Sequence, residues 1–115
     1  MTSTKIKRFL GDGEYEFNLS SAQIVRLEKL LNIGIGELSQ RVVSGRFHHV
    51  ELIETVRHGL IGAGTSHEQA ANLIAVYLDG ASLRSVHTLA VEILAAAWDG
   101  TPEPDEDTTN TNTQE

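Results

Sequence analysis

Apolar side chains recur every three or four residues along most of this chain, and the most informative run is Phe47 to Thr65. Val50, Ile53, Val56 and Leu60 keep helical spacing, and Leu52 and Ile61 widen the stripe. Glu51, Glu54, Arg57 and His58 fall largely on the other side. The pattern predicts a central helix with one buried face. Gly62-Ala63-Gly64 ends it, because glycine enters the left-handed region without a Cβ clash.

Shorter elements flank this helix. Residues 5–19 predict a β-hairpin, since Tyr15, Phe17 and Leu19 alternate with Glu14, Glu16 and Asn18 around a Gly11-Asp12-Gly13 turn. Lys5, Lys7 and Arg8 on one arm face Glu14 and Glu16 on the other, which favours that register. Ser20 to Leu31 predicts a first helix with a Ser20/Gln23 capping box and a stripe of Ile24, Leu27, Leu30 and Leu31. Asn32-Ile33-Gly34-Ile35-Gly36 interrupts the helical pattern. A short helix from about Gly36 to Ser44 follows, carrying Leu38, Val42 and Val43 and stopping at Gly45. Ser66 caps a fourth helix with Ala70, Leu73, Ile74 and Tyr77 apolar, ended by Asp79-Gly80. Ser82 opens a fifth that runs through Trp98, with Leu83, Val86, Leu89, Ala90, Ile93, Leu94, Ala97 and Trp98 on its stripe. The expected fold is mainly α: an N-terminal hairpin packed on a bundle of about five helices, one domain over residues 1–98.

Composition and charge change the picture at the C-terminus. The net charge is −7, and six of the 16 acidic residues (Asp99, Glu103, Asp105, Glu106, Asp107, Glu115) lie from position 99 onward, where there is no Lys or Arg. Residues 99–115 also lack apolar side chains beyond two prolines, so a disordered acidic tail is expected. The remaining body is nearly neutral and offers no broad attraction to phosphate. The chain contains no cysteine, no signal-like apolar run follows the N-terminus, and no stretch approaches the ~20 apolar residues of a membrane span. A soluble protein of the cytoplasm is expected, with no membrane partner.

The candidate chemistry is sparse. His48 and His49 are adjacent and point about 100° apart on a helix, while His58, His67 and His87 keep no chelating spacing, so no metal site is expected. The glycine pairs at 34/36 and 62/64 lack the Gly-Lys-Ser/Thr ending of a phosphate loop. No nucleophile, base and orienting group stand out, and neither catalytic nor cofactor-binding residues are expected. The alternative is a helix-turn-helix regulator, with Ser39, Gln40 and Arg41 available to read bases. Against it stand one basic residue on the recognition helix and a long Asn32–Gly36 turn, so nucleic acid is not expected among the partners. Apolar residues at helix ends and linkers point instead to protein recognition: Ile33, Ile35, Leu60, Ile61 and Trp98 are the candidate contacts.

Three segments carry a family likeness over about residues 5–100. They are Gly11-Asp12-Gly13-Glu14-Tyr15-Glu16-Phe17, then Leu27-Glu28 running into Gly34-Ile35-Gly36-Glu37-Leu38, and Val56-Arg57-His58-Gly59-Leu60-Ile61-Gly62-Ala63-Gly64. In their order and spacing the chain resembles the gene-transfer-agent and phage tail assembly chaperone family, some of whose members are labelled tail tube proteins. The resemblance implies a non-enzymatic role in tail assembly, with the tape-measure protein and tail tube subunits as partners and homo-oligomers as a further option. It supplies no catalytic residues to carry over.

Overall fold

The hairpin forms where alternation places it. In the computed structural model, which describes residues 2–102, a two-residue strand Thr2–Ser3 (β1) precedes the antiparallel pair Lys5–Leu10 (β2) and Gly13–Asn18 (β3). Ile6 lies opposite Phe17 and Lys7 opposite Glu16. Ile6, Leu10, Phe17 and Leu19 are buried, and Tyr15 is half-buried. Lys5 Nζ stands 3.7 Å from Glu16 Oε1 on the solvent face. Arg8 projects the other way, and its Nε donates to Glu92 Oε1 at 2.8 Å.

Five helices follow: Ser21–Leu31 (α1), Ile35–Ser44 (α2), His49–Gly62 (α3), His67–Leu73 (α4) and Leu83–Asp99 (α5). Two of the serine caps are made, with Ser66 Oγ accepting from Gln69 N at 3.1 Å and Ser82 Oγ from Ser85 N at 3.2 Å. Ser20 caps α1 without a side-chain bond, and Gln23, its expected partner, is buried instead. Asn32 takes the left-handed conformation at φ 56°, so α1 ends there and α2 already starts at Ile35, ahead of Gly36. The fourth helix does not run straight to Asp79. It passes into a π-helical turn, Ile74–Leu78, in which Asp79 N donates to Ile74 O at 3.1 Å.

The central helix departs furthest from expectation. Rather than one buried face, α3 is enclosed nearly all round: Leu52, Thr55, Val56 and Leu60 are fully buried, and so, nearly, are Glu51 and His58. Val50, expected on the apolar stripe, is about half exposed. The polar groups are tolerated because each has a partner. Thr55 Oγ1 donates to Glu51 O at 2.7 Å, and His58 Nδ1 donates to Glu54 O at 2.8 Å. Glu51 accepts from His48 N at 2.8 Å through Oε1 and from Arg41 Nη2 at 2.7 Å through Oε2. That carboxylate therefore closes the first turn of α3 and anchors α2 to it.

Gly62 has a different role from the one its place in Gly-Ala-Gly predicts. The left-handed residue is Gly64, at φ 111°. Gly62 is the last residue of α3, and a Cβ there would lie 1.9 Å from Asn18 O and 3.0 Å from Gln23 Cγ. The missing side chain lets the helix touch the corner between β3 and α1.

The C-terminal segment is tied to the N-terminus. Asp99 is still helical, Gly100 turns the chain at φ 74°, and Thr101–Pro102 (β4) pairs antiparallel with β1. Thr101 Oγ1 reaches Ser3 O at 3.1 Å. The tail expected from Asp99 thus opens with four residues that have defined structure, while 103–115 lie outside the described residues. Among the described residues no helix is long and apolar enough to cross a membrane.

Four substitutions test this packing by urea denaturation. Gly62→Ala should cost on the order of 2–3 kcal/mol, because its Cβ meets backbone. Gly36→Ala, where nothing lies within 4 Å, should be neutral or stabilise. Arg41→Met should cost about 2–4 kcal/mol by leaving the Glu51 carboxylate buried alone, against less than about 1 kcal/mol for Lys5→Met at the exposed pair.

Candidate functional site

Three helices converge on one exposed aromatic ring. Ile24 from α1, Ile35 from the start of α2, and Leu94, Ala97 and Trp98 from α5 line an apolar cleft of about 150 Å3. A space of that order accepts a benzene-sized group. Trp98 is 63 % exposed, yet its position is fixed, because the indole Nε1 donates to the buried Ser39 Oγ at 2.9 Å. On its other side an open groove follows α2, lined by Glu37, Arg41, Val43 and Arg46. Val43, one turn beyond Ser39, is 65 % exposed and extends the apolar surface.

The five sequence-predicted contacts are not one surface. Ile35 and Trp98 meet in the cleft. Ile33 lies in the α1–α2 turn beside Val25 and Lys29, half-buried, and lines a separate shallow depression. Ile61 is half-buried on α3. Leu60 is fully buried, so its expected partner contact is corrected: it belongs to the core and has no surface to offer. The sequence reading omitted Ile24, Val43, Leu94 and Ala97 from the site, although each stood on a predicted helix stripe. Nothing local in the sequence announces the Ser39–Trp98 bond, which joins residues 59 positions apart.

The same bonds bear on base reading by α2. The turn between α1 and α2 is only three residues, Asn32 to Gly34, shorter than expected. However, Ser39 is buried under Trp98, and Arg41 is committed to Glu51 and to His48 Nδ1 at 2.8 Å. Of the three proposed base-reading side chains, Gln40 alone is exposed without such a commitment.

A second cluster lies at the hairpin tip. Gly11 packs on the Tyr77 ring in the π-helical turn, where a Cβ would lie 2.2 Å from Tyr77 Cγ, and its φ of 66° also suits glycine. Tyr15 Oη donates to Asp12 Oδ1 at 2.7 Å. That bond, with some desolvation and the Asp12 charge, raises the Tyr15 pKa above its ordinary 10.0. Tyr77 is raised first by desolvation and then by Asp12. Among the described residues no group of three or more His, Cys, Asp or Glu is placed to hold a metal.

A phenol held neutral in this way has a signature. Its contribution to stability is complete below the ordinary pKa and is lost as pH rises through the raised value. Ultraviolet titration should show Tyr15 ionising above the ordinary range, and Asp12→Asn should bring it back towards 10. An unchanged titration curve in that variant would count against the Asp12 bond.

No curated protein and no solved structure matches the chain. The family model described as phage tail tube protein, GTA-gp10, matches residues 3–100, which takes in the hairpin, all five helices and the Trp98 cleft, and the protein belongs to that phage and gene-transfer-agent tail family.

Proposed function

We propose that this tail protein acts without catalysis, as an assembly chaperone that shields the tape-measure protein and aids formation of the tail tube in the cytoplasm. The observation that carries the reading is the Ile24–Ile35–Leu94–Ala97–Trp98 cleft with Val43 beside it. An amphipathic client helix laying one large apolar side chain between Ile35 and Trp98 would bury surface that is otherwise wetted. The fixed indole loses little further freedom on binding, which makes it a suitable anchor. Beyond Pro102 the acidic tail supplies the charge that keeps such a complex soluble.

The family's description as a tail tube protein favours a second reading, a subunit of the tube itself. A tube wall needs extensive strand pairing between subunits. The described residues hold one two-stranded hairpin and one two-residue pair, and the exposed lysines of β2 discourage edge-to-edge addition.

Co-expression with the tape-measure protein of the same tail should raise that client's solubility and co-purify the two. Trp98→Ala should weaken the complex by on the order of 30-fold, the loss of about 2 kcal/mol seen at interface hot spots. Unchanged client solubility, or closed rings and tubes formed by the purified protein alone, would overturn the chaperone reading. A salt-sensitive mobility shift with duplex DNA would instead favour the helix-turn-helix alternative.

A further inference from the structure

The groove along α2 carries opposite charges at its two ends. Glu37 stands on the first turn of the helix, and Arg46 stands just beyond its last residue, Ser44. Both side chains are exposed and both line the groove. Among the described residues neither has an ion-pair partner; Arg46 Nε donates to Ser44 Oγ at 3.2 Å. Between the two ends the groove is neutral or apolar. Arg41 is balanced by Glu51 at 2.7 Å, Ser39 Oγ is taken by the Trp98 indole, and Val43 is exposed. At 1.5 Å of rise per residue, the charged ends stand on the order of 12 Å apart.

Acid first and base last is the order that a helix's own dipole favours. A client helix is subject to the same rule. Laid parallel to α2, it would set carboxylate against Glu37 and cation against Arg46. Laid antiparallel, it sets its acidic first turn against Arg46 and its basic last turn against Glu37. The two macrodipoles then run in opposite senses as well, which is also favourable. On such a helix a residue and those three, four and seven positions later share one face. An acidic residue, two large apolar ones and a basic one at those positions match the groove in order: Arg46, then Val43 and Trp98, then Glu37.

We propose that the α2 groove takes an amphipathic helix in one direction, antiparallel to α2, with its acidic N-terminal end at Arg46 and its basic C-terminal end at Glu37. The inference rests on the chaperone reading and adds to it a direction and a charge pattern for the client. Two exposed ion pairs, with the like-charge contacts they avoid, favour this direction by about tenfold, and salt removes the preference.

A synthetic helix of about 15 residues, long enough to run the length of α2, tests the direction on the full-length protein. It carries Glu, two Leu and Lys in the stated pattern and a nitroxide at its N-terminus. At low salt the nitroxide should weaken the amide signals of Ser44 and Arg46 about threefold more than those of Gly36 and Glu37, and about 1 M NaCl should even out the two ends. Exchanging the groove's charges, Glu37→Arg with Arg46→Glu, should move the broadening to the start of α2, with matching far-UV circular dichroism showing intact helices. Equal broadening of both ends at low salt, or a pattern that ignores the exchange, would overturn the proposal while shifts at Ile35 and Trp98 still report docking. A peptide that shifts neither residue would overturn it too, and co-expression with the tape-measure protein tests the chaperone reading by itself.

Discussion

Enclosure of α3 is the constraint on which the other elements depend. Leu52, Val56 and Leu60 are sealed from solvent, and the same helix buries the Thr55 hydroxyl together with a carboxylate and an imidazole, Glu51 and His58, on the side expected to face water. A helix enclosed this completely requires neighbours on every side. β3 and α5 meet it at Gly59, whose Cβ position lies 3.4 Å from Ile93 and 3.5 Å from Phe17. The β3–α1 corner touches it at Gly62, and Arg41 reaches it from α2. Burying Glu51 is tolerable because both carboxylate oxygens are occupied, one by Arg41 and one by the His48 amide.

The proposed docking surface follows from how α2 is held. That helix buries Leu38 and Val42, and three polar contacts hold it further: Arg41 to Glu51, His87 Nε2 to Val42 O at 2.8 Å, and Trp98 Nε1 to Ser39 Oγ. The last of these fixes the indole against α2 while leaving most of its face in water. A contiguous apolar patch around a fixed indole is what the proposed docking rests on, since single exposed apolar residues are ordinary. Val43 and Ile35, on either side of Ser39 in sequence, continue it.

Much of the architecture was legible because periodicity reports burial. The hairpin register, the five helices and the caps at Ser66 and Ser82 follow from alternation, helical spacing and short polar side chains at helix starts. What stayed hidden depends on distant partners. Periodicity places Glu51 and His58 on a solvent face, and only Arg41, from another helix, and a backbone carbonyl one turn away make their burial acceptable. Gly62 reads as a helix stop, because a sequence cannot show that Asn18 O occupies the space of its Cβ. The π-helical turn has no pattern of its own, since Ala70, Leu73, Ile74 and Tyr77 suit an α-helix equally well. Of the candidate contacts, Ile35 and Trp98 came together in the cleft and Leu60 went to the core, because apolarity alone does not separate an interface from an interior.

The central claim is that the α1–α2–α5 surface around Trp98 takes up an amphipathic helix from the tail's long helical component. Amide chemical-shift mapping with a tape-measure-derived helical peptide tests it most directly. The account predicts the largest perturbations at Ile24, Ile35, Val43, Ala97 and the Trp98 indole. Perturbations confined to the outer face of the hairpin, or none at saturating peptide, would contradict it.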